Sequence, residues 1–243
     1  MEPILQRTYI LDGSQATADG FCRPEALLQR MQEATTQHSD AIGIGRDVML
    51  QEHNGIWMLA RCWYQLTQPL VPGMAITLQT WPCKNTATSS ERYFAFYADG
   101  KRIGQALQMW VLADIDKRRI CRIDQFAEIC AMPLTEKPIS LRLRRLPRPM
   151  LQDAGAYTIV PADIDENGHM NNVRYLRCAM QPFADTFVWQ LQINYEHECR
   201  VGQTLHLQSA VQDDTNLIFG LLEDGSVSFE LQIWQNQSEF EPE

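Results

Sequence analysis

The chain repeats itself. Asp99-Gly100 followed by Leu107-Gln-Met-Trp110 recurs as Asp224-Gly225 followed by Leu231-Gln-Ile-Trp234. Asp19-Gly20-Phe21 recurs as Asn167-Gly168-His169, and Pro72-Gly73 as Val201-Gly202. Turn residues at matching places fix the register of the strands beside them, so the pairs imply one folding unit used twice. In the first unit, residues 6–12 read as a strand. A helical pattern then starts at Pro24 and puts Leu27, Met31, Ala34, His38 and Ala41 on one face, with Gly43 and Gly45 ending it. His38 on that apolar stripe reads as structural. Strands follow over Ile56–Leu66, apolar on both faces, then Met74–Trp81, Arg92–Tyr97 and Ile103–Ala113. The second unit gives a strand at Tyr157–Val160 and a helix from about Asn171 with Val173, Leu176, Met180, Phe183 and Phe187 on one face. Pro182 is set to break or kink it. Strands at Trp189–Tyr195, Thr204–Val211, Leu217–Leu222 and Val227–Trp234 complete the unit. The expectation is an α+β chain in which a sheet wraps a helix, twice over.

At 243 residues, 45% hydrophobic and 21% charged, the chain can bury a sizeable core. The units are drawn at 1–131 and 154–243. Between them 132–153 is rich in proline and arginine, with Leu141-Arg-Leu-Arg-Arg-Leu-Pro-Arg148 at its centre, and reads as an extended crossover. From Lys117 to Arg148 nine Lys or Arg stand against three Asp or Glu, in a chain whose net charge is −9. Either these arginines pair with the acidic body, or they form a docking surface for an acidic carrier. The acidic total gives no support for nucleic-acid binding. Seven scattered cysteines without a Cys-x-x-Cys pair fit reduced thiols rather than a disulfide frame or a zinc site. No leader-like start and no run of about eighteen apolar residues is present, so a cytoplasmic chain without a membrane span is expected. No metal or cofactor is expected either.

Chemistry concentrates in Asp163-Ile-Asp-Glu-Asn-Gly-His-Met-Asn-Asn-Val-Arg-Tyr175. Asn171 or Asn172 is suited to cap the second helix, and Gly168 lets the backbone turn just before it. Asp165, Asn167 and His169 then sit where a strand feeds a helix N-terminus, whose N–H groups can hold a carbonyl oxygen as it becomes an oxyanion. Ile193-Asn-Tyr-Glu-His-Glu-Cys199 brings Glu198 and Cys199 to the end of a strand-like run.

Asp-x-Asn-x-His-x-Asn-Asn-x-x-Tyr followed by Tyr-x-x-Glu-Cys resembles the acyl-ACP thioesterases of plant plastids and bacteria. Trp110-Val-Leu-Ala-Asp-Ile-Asp-Lys-Arg-Arg119 is similar to the family as well. The resemblance implies a tandem hotdog fold, hydrolysis of fatty acyl-ACP in fatty acid biosynthesis, and acyl carrier protein as partner. It gives Asp165, Asn167, His169 and Glu198 as the polar set, with Asn171 and Asn172 at the substrate. Which carboxylate is the base stays open. Asp163 reads as structural and Tyr175 as packing. Cys199 with His169 and Asn167 has the composition of a Cys-His-Asn triad and is the alternative nucleophile, although a neighbouring carboxylate makes it a poor thiolate. Other readings are an acyl-CoA thioesterase, a dehydratase on 3-hydroxyacyl chains, or an acyl-binding module without activity.

Laying one unit over the other puts Thr17 at Asp165, Phe21 at His169, Pro69 at Glu198 and Leu70 at Cys199, so one active site per chain is expected. The family places its acyl pocket in the first unit, where Met31, Trp57 and Met58 are the candidate lining. Arg142, Arg144 and Arg145 are the candidate contacts to carrier protein. The quaternary state is open, with a homodimer as the assembly allowed for.

Overall fold

The computed structural model describes residues 2–165, 168–183, 187–212 and 214–234. The first unit runs β1 (Leu5–Ile10), α1 (Pro24–Ala41), α2 (Arg46–His53), β2 (Gly55–Leu66), β3 (Ala75–Asn85), β4 (Ser90–Ala98), β5 (Lys101–Asp114), β6 (Arg119–Ile120) and α3 (Ala127–Cys130). The second runs β7 (Gln152–Thr158), α4 (Asn172–Ala179), β8 (Gln190–Tyr195), β9 (Thr204–Gln212), β10 (Thr215–Leu221) and β11 (Val227–Trp234). All the strands join one antiparallel sheet in the order β1-β3-β4-β5-β2-β8-β11-β10-β9-β7, with β6 on β5. Read outward from the β2–β8 seam, the order is the same on both sides, and the seam pairs Arg61 with Asn194 and Tyr64 with Leu191. This is the tandem arrangement that the repeat predicts.

Strand alternation sorts the core. Cys62, Tyr64, Leu78, Phe94, Phe96 and Ala106 face α1 and share one cluster with Leu27, Leu28, Met31 and Ala34. From the second unit Leu176, Ala179, Leu191, Ile193, Phe229 and Leu231 join the same cluster. Trp63, Trp81, Tyr93 and Leu107 point the other way, and the crossover lies on them. Ile139, Leu141 and Leu143 pack on this outer face, while Leu146 and Leu151 reach Leu217 and Phe219. Its main chain is tied to both halves of the seam. Arg61 Nη1 donates to the Leu143 carbonyl at 2.9 Å, and Gln192 and Asn194 donate to that of Arg144 at 2.7 and 3.0 Å. Glu230 accepts from Leu146 N–H at 3.0 Å. The linker is therefore a strap bonded across the sheet.

Several elements depart from the sequence reading. The second helix stops at Ala179, and Gln181–Phe183 forms a separate 3-10 turn, so the apolar stripe is shared by two elements. Phe183 and Phe187 still pack on the core. α2 was not expected, because few of its residues are buried; it sits with Ile42, Ile44, Leu112 and Ile123 in a separate cluster. β7 begins five residues before the expected strand. His38 is 2% exposed, with its Nδ1 accepting from the buried Arg92 at 2.9 Å and its Nε2 at 3.2 Å from the Glu2 carbonyl. Burial and the adjacent guanidinium hold its pKa down.

Candidate active site

A tight loop sets the site. Ile164 bridges Met170, Asp165 N–H donates to the His169 carbonyl at 2.9 Å, and Gly168 N–H donates to the Asp165 carbonyl at 3.1 Å. Gly168 has φ +79°, the left-handed region that a side chain would oppose. Beneath it Asp163, 4% exposed, accepts from Tyr157 Oη at 2.7 Å and Val160 N–H at 3.1 Å, and its carbonyl takes Asn171 N–H. Asp163 is thus spent on holding the loop. Asn171 caps α4 by accepting from Val173 N–H at 2.9 Å.

The loop brings His169 against Glu198. His169 Nε2 stands 3.2 Å from Glu198 Oε2, with side chains 25% and 36% exposed. Asp165 is half-buried in the same loop. Asn167 lies outside the described residues. The N–H groups of Asn171, Val173 and Arg174 are all donated within the turn. That of Asn172 has no acceptor among the described residues, as is usual for the first N–H groups of a helix.

Cys199 turns away from this pair, into the core, on the irregular segment that follows β8. It is fully buried, its thiol donates to Ser228 Oγ at 2.9 Å, and Ser228 donates on to the His197 carbonyl at 2.8 Å. Its N–H donates to Tyr175 Oη at 2.9 Å, and its carbonyl accepts from Met170 N–H at 2.8 Å. Burial raises the thiol pKa, and Glu198 adds to this, partly offset by its hydrogen-bonded neighbours. Cys199 and Tyr175 thereby link the Glu198 segment to the His169 loop from below. Ser228 belongs to this support, and nothing in the sequence marked it.

The first unit carries the same loop with other side chains. Ala16 bridges Cys22, Thr17 N–H donates to the Phe21 carbonyl at 2.7 Å, Gly20 N–H to that of Thr17 at 3.0 Å, and Cys22 N–H to that of Leu70 at 2.7 Å. Bond for bond this overlays Thr17 on Asp165, Phe21 on His169, and Leu70 on Cys199, which sets Pro69 at Glu198. Phe21 meets the Phe187 ring at 5.6 Å. The counterpart place is apolar.

The expected acyl-lining residues do not converge. Met31 is fully buried in the helix-facing core. Trp57 donates its Nε1 to the Ile44 carbonyl at 3.0 Å and packs in the α2 cluster. Met58, its neighbour on β2, alternates to the opposite face of the sheet. Arg142, Arg144 and Arg145 all project from the strap into solvent, and Arg145 pairs with Glu196 at 2.8 Å. Among the described residues, Glu52, His53 and Glu128 bring potential metal-ligating atoms within 4.8 Å of one another, on elements apart from the His169 loop. No described helix is long and apolar enough to cross a membrane.

Residues 3–132 match the family model "Acyl-ACP thioesterase N-terminal domain", and 152–241 match "Acyl-ACP thioesterase C-terminal domain". Oleoyl-acyl carrier protein thioesterase 1, chloroplastic, of Arabidopsis thaliana is 25% identical over 225 residues, covering 82% of this chain and 60% of that protein. Dodecanoyl-[acyl-carrier-protein] hydrolase, chloroplastic, of Cinnamomum camphora is 20% identical over 228 residues, covering 86% and 59%. The chain thus spans about three fifths of the curated relatives it matches. An acyl-ACP thioesterase structure from Bacteroides thetaiotaomicron superposes with TM-score 0.86 at 20% identity, covering 96% of this chain and 97% of that one. The 12:0-ACP thioesterase of Umbellularia californica gives 0.84 at 16%, covering 98% and 99%.

Proposed function

The chain belongs to the acyl-ACP thioesterase family, and from that premise we propose that it hydrolyses fatty acyl-ACP to the free fatty acid and the carrier protein, in fatty acid biosynthesis. The observation that carries the reading is the 3.2 Å approach of His169 Nε2 to Glu198 Oε2. Glu198 orients the imidazole through Nε2, so Nδ1 is the nitrogen that takes a proton from the attacking water. Asp165, one hydrogen-bonded turn away, positions that water. Water oxygen bonds to the acyl carbon, and the carbonyl oxygen gains the negative charge, which backbone N–H donors at the start of α4 are suited to hold. Collapse breaks the C–S bond, and the departing thiolate recovers a proton from the imidazolium. Cys199 supports this site from beneath and does not attack.

Residues 154–243 supply these groups, and residues 1–131, whose counterpart loop carries Phe21 and Pro69, hold the acyl chain around Met31. The solvent-facing arginines at 142, 144 and 145 on the 132–153 strap meet the acidic carrier protein, in the cytoplasm. A homodimer is the assembly to test by sedimentation. The decisive assay follows fatty acid release from acyl-ACP and acyl-CoA of equal chain length by the wild type, Asp165→Asn, His169→Ala and Glu198→Ala. Faster turnover of acyl-ACP, falling about a hundredfold in each folded variant, supports the reading. Preference for acyl-CoA moves the chain to the other substrate class, and full activity in all three variants sinks the site.

A further inference from the structure

Glu198 also opens on a groove of about 420 Å³ that the hydrolytic chemistry leaves unused. Three turns meet there: the β5–β6 turn with Arg118, the β8–β9 turn with Arg200 and Gln203, and the β10–β11 hairpin with Asp224 and Ser226. Arg118 comes from the first unit and the rest from the second, so the groove exists only where the two units meet.

Both arginines stand on hydrogen-bonded turns. Arg118 has φ +50°, a left-handed backbone that a non-glycine residue adopts only when its surroundings hold it there. The turn is fixed by Arg118 N–H to the Asp114 carbonyl at 2.9 Å and by Asp114 Oδ1 accepting from the N–H groups of Asp116 and Lys117. The Arg200 turn is closed from both ends. Arg200 N–H donates to Gln203 Oε1 at 2.7 Å, and Gln203 N–H donates to the Arg200 carbonyl at 3.2 Å. Among the described residues neither guanidinium has an ion-pair partner. The two carboxylates in the groove are engaged, Glu198 with His169 and Asp224 with Ser226 N–H and Oγ at 2.9 and 2.6 Å. His197 commits Nδ1 to the Val227 carbonyl at 2.7 Å.

Two unpaired guanidinium forks beside a catalytic carboxylate suit a tetrahedral oxyanion that is joined to the reacting group. We propose that this groove seats the phosphate ester of the substrate's pantetheine arm, with Arg118 and Arg200 as its ligands. The inference rests on the thioesterase reading and adds to it a subsite for the arm. The subsite lets the enzyme register the thiol carrier before the acyl chain is committed, and it requires both units in one chain.

The test is a binding measurement that needs no turnover. Titration calorimetry compares phosphopantetheine with pantetheine on the wild type, Arg118→Ala, Arg200→Ala and Arg118→Lys. The expected wild-type preference for the phosphorylated arm is about tenfold, falling to about twofold or less in either alanine variant and partly kept by lysine, which holds the charge without the fork. Added salt should shrink the preference, since the groove is open to solvent. CoA and holo-carrier protein run as competitors separate the two natural sources of such a phosphate. Equal wild-type affinity for both arms overturns the proposal, and so does a preference that survives both alanine variants. A chain that keeps the preference yet hydrolyses no thioester keeps the subsite and loses the thioesterase reading.

Discussion

Glu198 and Cys199 are neighbours in sequence and opposites in space, and exchanging each for alanine should separate stability from chemistry. Cys199→Ala removes a fully buried sulfur that donates to Ser228 and packs in the main core. The lost transfer energy of one methylene-sized group and the space left behind come to about 1–2 kcal/mol. For a chain of this length that lowers Tm by about 3–6 °C. Because Ser228 keeps its bond to the His197 carbonyl and Tyr175 still accepts from residue 199 N–H, the Glu198 segment stays placed. Activity should therefore remain within about threefold of wild type. Glu198→Ala removes a side chain 36% exposed, whose contact with His169 contributes about 1 kcal/mol or less to folding. Its Tm should barely move, while kcat/KM falls about a hundredfold, or close to 3 kcal/mol of barrier. Calorimetric Tm and fatty acid release on the same preparations give both readouts. Alkylation before proteolysis adds a third, because exposed Cys130 should react and buried Cys199, its pKa raised, should not. A well-folded, inactive Cys199→Ala beside an active Glu198→Ala would refute the reasoning.

Three further outcomes are expected. Tyr175→Phe strips the acceptor from the buried Cys199 N–H and should cost about 1–3 kcal/mol, visible as a lower Tm and faster amide exchange at residue 199; unchanged protection there would deny Tyr175 its bracing role. Glu25 is 6% exposed with an unpartnered Oε2, and burial raises its pKa, so its folded form holds the proton longer and its ionisation erodes stability as pH rises through that raised value. Glu25→Gln should accordingly be more stable than wild type at pH 8 and lose that advantage by pH 4; an advantage equal at both pH values contradicts the assignment. Reversing Arg142, Arg144 and Arg145 to Glu should raise KM for acyl-ACP about tenfold with little change in Tm, since the Arg145–Glu196 pair is exposed on the arginine side; a large fall in Tm would mean the arginines hold the strap.

What the sequence disclosed follows from the range of the interactions involved. Asp99-Gly100 and Asp224-Gly225 act within one hairpin, so the repeat and most strands were readable. α1 was readable because Pro24 and a long apolar face mark it. α4 was overextended, since Met180, Phe183 and Phe187 keep a helical spacing across a chain that has already left the helix. α2 presents no clean stripe and went unseen. The strap's alternation of Ile139, Leu141 and Leu143 with outward arginines is there in the residues, but what it lies on is decided by Trp63 and Trp81, far away in the chain. In the site, the overlay of Thr17, Phe21 and Pro69 on the active loop could be drawn from turn residues alone. The side taken by Met58 needed only strict alternation beside Trp57 on β2, a signal that was present, whereas Cys199 lies past the end of β8, where alternation no longer applies. The Arg118–Arg200 groove needed the fold, because its turns are distant in sequence.

The β2–β8 seam constrains how the chain must be made. Its pairs join residues such as 62 and 193, so the first unit leaves the ribosome well before the strand that completes its border. Until then β2 is an unprotected edge bearing Cys62, Trp63 and Tyr64, three groups that are buried in the finished protein. The seam's symmetry makes that edge suited to another nascent copy of itself. Chains crowded on one messenger therefore face a competing, homotypic pairing, which subsides only once each acquires its own β8, and slow translation between the two units would prolong the exposure.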